Sequence, residues 1–131
     1  MNINSKKLSK DDPIYKIIGC SMTVLNTIGH GLREKTYERA LMVEFSYQGI
    51  PFETQKIFPV HYREEKIDEF IPDLIVNQEM VVDTKTVDSI NNEHIGQMLN
   101  YLKITGLEIG LLLNFKHPKL QWRKVVLENK N

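Results

Sequence analysis

Only one cysteine, Cys20, is present, so no internal disulfide can staple the chain. Long apolar runs are scarce as well. The apolar part of IYKIIGCSMTVLNTIG is broken by Lys16 and several polar residues, short of the roughly 20 apolar residues that a membrane-spanning helix needs. An excess of either charge is also missing: seventeen basic and seventeen acidic residues cancel. No global positive field therefore draws the protein to nucleic acid, and any such binding must come from local patches. Two short stretches qualify. FKHPKLQWRK carries Lys116, His117, Lys119, Arg123 and Lys124, and GLREKTYER carries Arg33, Lys35 and Arg39. Each also reads as a solvated strand edge or helix face. The start MNINSKKLSKDD lacks the basic-then-apolar order of a secretory signal. The expectation is a cytoplasmic protein without membrane contact.

What is present suits a single domain over residues 1–131, with a flexible N-terminal stretch at 1–11. At 131 residues and 41% hydrophobic content the chain can bury one core without a structural metal. Ile14, Ile17, Ile18, Leu25 and Ile28 recur at helical spacing, with Asp11 and Asp12 as candidate caps ahead of Pro13. A second helix is expected over about 32–48, between the Gly29/Gly31 break and Gly49, with Tyr37, Ala40, Leu41 and Phe45 on one face. Residues 52–60, 61–70, 74–76 and 80–82 read as strands, with turns at Glu64–Glu65 and Asn77–Glu79. A helix over about 92–104 is followed by a buried strand, GLLLNF, and a more exposed one, LQWRKVVL. That order predicts an α/β (α+β) domain, a mixed central sheet flanked by helices.

The hairpin PDLIVNQEMVVDTKT raises the functional question. If Asn77, Gln78 and Glu79 form a three-residue turn, Leu74 faces Val82 and Asp73 faces Asp83. Side chains alternate along a strand, so Asp83 and Lys85 share one face and Thr84 takes the other. Facing carboxylates with Cβ atoms roughly 5 Å apart repel by about 3 kcal/mol at an effective dielectric near 20. Lys85 offsets part of this as an ion pair. A divalent cation offsets more, because Mg²⁺ is commonly held by one or two carboxylates plus substrate phosphate. The bland alternative is two solvated aspartates that end their strands beside a lysine. A two-residue turn would place them on opposite faces.

PD, ten further residues and DTK resemble the PD-(D/E)XK nuclease signature, with Pro72, Asp73, Asp83 and Lys85 in the matching places. QMLNY sets Gln97 and Tyr101 at i and i+4, similar to the QxxxY helix of one branch of these nucleases. Upstream, Gly31, Glu34 and Tyr37 of GLREKTY are similar to the motif that names the GxxExxY proteins. The likeness continues through GIPFETQ, YREEKIDEFIPDLIV, QMLNYLKITG and GLLLNF. One departure is Asp83, where glutamate is commoner, which shortens the carboxylate by one methylene.

The resemblance implies the superfamily's mixed sheet flanked by helices, and a metal-dependent nuclease acting on nucleic acid, DNA first. In that reading Asp73 and Asp83 bind Mg²⁺ or Mn²⁺, and Glu34 completes or supports the cluster. Lys85 orients the water or stabilises transition-state charge. Gln97 and Tyr101 hold the lysine, the water or the phosphate. His94 shares the face of Gln97 but reads as solvated or packed, and Tyr37 and Trp122 read as packing. The alternative function is a nuclease fold used for nucleic-acid or protein contacts with little or no turnover. A homodimer or protein partner is left open by the residues.

Overall fold

Among the described residues there are three helices and two sheets. The computed structural model describes residues 8–128. The expected flexible stretch 1–11 lies outside these up to residue 7; of its remainder, Leu8 packs against the core. Helix α1 (Tyr15–Ile28) ends at Gly29 and α2 (Glu34–Gln48) at Gly49, which adopts the left-handed conformation with φ 73°. Asp12 does not cap α1 as expected. Its carboxylate accepts from Ile14 N–H in the preceding turn and pairs with Lys124.

The strands are β1 (Phe52–Glu53), β2 (Phe58–Tyr62), β3 (Glu65–Phe70), β4 (Leu74–Val76), β5 (Met80–Lys85), β6 (Ile109–Asn114) and β7 (Gln121–Val126), with α3 (Asn92–Thr105) between β5 and β6. The five-stranded sheet runs β1-β4-β5-β6-β7. Only β5–β6 is parallel; the other pairs are antiparallel. The mixed sheet flanked by helices is therefore as the sequence predicts. No described helix is long and apolar enough to cross a membrane.

Two expectations need correction. Residues 52–60 are not one strand: β1 joins the main sheet, whereas β2 pairs with β3 in a separate ribbon, and Gln55 between them takes φ 57°. The ribbon stays apart because Glu65, Lys66, Asp68 and Glu69 give β3 no apolar face to bury. Its turn is Arg63–Glu64, both left-handed, one residue earlier than expected.

The two sheet faces have separate cores. Leu74, Val76, Met80, Val82, Leu111 and Leu113 meet α1 and α2, and Ile75, Val81 and Leu112 meet Met98 and Leu102 of α3. This alternation assigns Thr84 to the α1/α2 side and Asp83 and Lys85 to the α3 side. Helix α3 lies close because β6 offers Gly110, where an added Cβ would stand 2.5 Å from Met98 Cγ and Sδ. Gly110→Ala should therefore cost about 1–3 kcal/mol through overpacking. Chemical denaturation of Gly110→Ala, Met98→Ala and the double variant checks this, with part of the loss expected to be recovered in the double variant.

Candidate active site

The hairpin register follows from its turn. Asn77 and Gln78 adopt φ 55° and 58°, and Leu74 pairs with Val82, Ile75 with Val81 and Val76 with Met80. Asp73, one residue before β4, thus comes alongside the end of β5. Thr84 N–H and the Thr84 hydroxyl both donate to Asp73 Oδ2, at 3.2 and 3.3 Å. Continuing the Leu74–Val82 pairing by one residue sets Asp73 opposite Asp83. Burial, then the Asp73 carboxyl as hydrogen-bond partner and as negative charge, pushes Asp83 up to about 7, against the opposing pull of Lys85.

Lys85 Nζ is 3.0 Å from Asp83 Oδ2, and both side chains are only 15% exposed. Burial works against the ammonium, but Asp83, Glu34 and Tyr101 outweigh it and raise Lys85. These shifts pull against each other, because a protonated Asp83 no longer supports the lysine. The upward shift of Asp83 is the firmer of the two, since burial and a neighbouring acid act in the same direction. Tyr101 reaches the cluster from α3 and stacks on Phe70, with ring centroids 4.1 Å apart. Burial and the charge of Asp83 raise its phenol, which keeps it a neutral donor.

Glu34 approaches from the other layer. It opens α2, and its Oε2 accepts from Thr86 N–H at 3.1 Å, just beyond β5. The loop before it is pinned by Tyr37, fully buried and stacked on Phe115 at 4.4 Å. The Tyr37 hydroxyl donates to Gly29 C=O at 2.7 Å and accepts from Leu32 N–H at 3.0 Å. Gly31 supplies the positive φ of 85° that the loop needs. Tyr37→Phe should leave two backbone groups without their partner and cost about 1–3 kcal/mol. Urea unfolding checks this, as a lower midpoint with an unchanged slope.

Other residues distribute differently. Gln97, one turn before Tyr101, is exposed and makes no hydrogen bond to the cluster. His94 completes the α3 capping box, its Nδ1 accepting from Asn91 N–H. Trp122 is buried in the core. The basic stretch 115–124 is partly engaged: Lys116 pairs with Asp88 at 2.6 Å and Lys124 with Asp12 at 3.3 Å.

A profile of the PD-(D/E)XK nuclease superfamily matches residues 11–125. The chain belongs to that superfamily. Among solved structures, one titled "Crystal structure of SSO0001" is similar with a TM-score of 0.58 at 16% identity, over 73% of this chain and 50% of that one. At that identity the likeness shows the fold alone, and this chain spans half the length of that structure. No curated protein matches.

Nucleases of the PD-(D/E)XK superfamily generally use divalent metal ions. Among the described residues of this PD-(D/E)XK chain, no three His, Cys, Asp or Glu side chains gather into a set of metal ligands. The donor chemistry nevertheless fits. Asp73 and Asp83 offer adjacent hard oxygen donors whose crowding a cation relieves, and two carboxylates plus substrate phosphate suffice for Mg²⁺. The sequence reading missed Thr84 as the donor to Asp73. It also missed Asn114, which is fully buried. Asn114 holds Val87 through N–H and C=O, and Gln121 in turn accepts from Ile90 N–H. These bonds fix the loop into α3, and hence Tyr101. The one signal for Asn114 is a lone polar residue within the apolar run GLLLNF.

Proposed function

We propose that this protein hydrolyses phosphodiester bonds of nucleic acid, DNA first, with Mg²⁺ or Mn²⁺. The observation that carries this is the close Asp73–Asp83 carboxyl pair with Lys85 beside it at the carboxyl end of β5. Asp73 and Asp83 would hold the ion, which when bound supplies neutralisation of the scissile phosphate and a more acidic water.

The chain's own groups supply the rest. Lys85 presents an ammonium on the same sheet face as Asp83, where it donates to the phosphate as charge redistributes. Tyr101, a neutral phenol beside Lys85, orients the lysine or a phosphate oxygen. Glu34 supports the lysine electrostatically and ties α2 to the end of β5. Gln97 is assigned to the substrate side, because its exposed amide stands one turn ahead of Tyr101 on α3. Within the superfamily we place the chain in the GxxExxY branch, where Gly31 and Tyr37 shape the loop that delivers Glu34.

The test is a panel of labelled single- and double-stranded DNA and RNA with Mg²⁺, Mn²⁺ or EDTA. Metal-dependent cleavage, strongest on DNA, is the expected result. No cleavage of any substrate would overturn the reading in favour of a binding module.

A further inference from the structure

Beside Asp73, on the α2 side of the sheet, two cavities run along α2 and share Lys35, Glu38 and Asp73. One, of about 470 Å³, extends to Arg33 and Thr86; the other, of about 230 Å³, continues to Arg39 and Gln55. The side chains of Arg33 and Arg39 make no hydrogen bond or ion pair among the described residues. Lys35 is paired only with Glu38, at 3.0 Å.

We propose that this groove is the path of the substrate strand, and that Lys35 and Arg39 hold the phosphates next to the scissile one. The proposal rests on the nucleic-acid reading above and adds where the strand lies. Lys35 and Arg39 stand at i and i+4, on one face of α2 and about 6 Å apart along its axis. One strand of a duplex carries a phosphate per roughly 3.4 Å of axis, so this run accompanies about two phosphates past Asp73. The other basic stretch is a poorer path, because none of its residues lines either cavity beside Asp73.

Glu38 lies between the two cations, nearly buried, with Lys35 as its partner. An exposed lysine in an i,i+3 pair is weakly held, so a phosphate can take it over. Glu38 is then left as a negative charge inside the groove. Its removal should strengthen binding, the opposite of removing either cation.

The experiment is anisotropy of a short fluorescein-labelled single-stranded DNA against salt concentration, in Ca²⁺, with melting curves to confirm folding. Arg39→Gln and Lys35→Gln should each weaken binding and flatten the log–log salt slope by about 0.7. Glu38→Gln should strengthen binding, and Lys119→Gln, on the β6–β7 turn, should change neither quantity. Wild-type slopes in both cation variants, or a flattened slope in Lys119→Gln instead, would overturn the groove. If wild type still cuts the same DNA with Mn²⁺, the nuclease reading survives that outcome. Binding with the expected slopes but no cleavage would sustain the groove and overturn the nuclease reading. No binding and no cleavage by wild type would overturn both.

Discussion

Lys85→Ala should lower cleavage by about 10² to 10³-fold, the usual cost of losing one preorganised donor at the transition state. The lysine can be spared by the fold because it fills no part of either hydrophobic core. It is only 15% exposed, however, and its partner Asp83 is left behind. Removing the ammonium withdraws the main force opposing the upward shift of Asp83. That carboxyl then keeps its proton to a higher pH, which neutralises the orphaned charge and limits the loss of stability. Turnover should therefore collapse while the melting temperature moves by a few degrees at most. Lys85→Arg separates charge from shape: a planar guanidinium keeps the charge but does not restore the compact donor. Kinetics and melting curves for the three proteins check this. Equal turnover in wild type and Lys85→Ala would remove the lysine from the chemistry.

Without metal, Asp83→Asn should stabilise the protein at pH 7 and above, by about 4 kcal/mol. An aspartate in the unfolded chain ionises near 3.9, whereas folded Asp83 holds its proton to about 7. Between those values the folded state binds more protons than the unfolded one. Wild-type stability should thus fall as pH rises from about 4 to 7, and level off above. A shift of about three units, at roughly 1.4 kcal/mol each, sets the size of the fall. Asparagine does not titrate and can donate an N–H to Asp73, so its profile should lack that decline. Mn²⁺ should narrow that gap, because an ion bound to the folded state adds about 2.7 kcal/mol at a hundred times its Kd. Calorimetry across pH, in EDTA and in Mn²⁺, measures both effects. Parallel pH profiles for the two proteins would show that Asp83 carries no raised proton affinity.

The hairpin was readable because a strand alternates with period two and a three-residue turn fixes the register. Leu74 opposite Val82 followed from counting alone. The break at Thr54–Ile57 was not readable, since FETQKIFPV keeps strand-like composition across it; only the left-handed Gln55 and the charged face of β3 separate the two sheets. Tyr37 was legible as a buried ring. Its two bonds back to Gly29 and Leu32 depend on a loop shape that helical periodicity does not encode. Asn114 joins residues distant in sequence, from Val87 to Gln121, so no local pattern announces its role.

The single parallel pairing, β5 with β6, has a kinetic consequence. Its strands are separated by α3, so the pair closes only after a long crossover, whereas the β4–β5 hairpin can zip locally. Asp73 and Asp83 can meet in the hairpin alone, but Tyr101 arrives only when α3 docks. During refolding, amide-exchange protection of α3 should therefore rise together with recovery of cleavage. Formation of the hairpin should precede both.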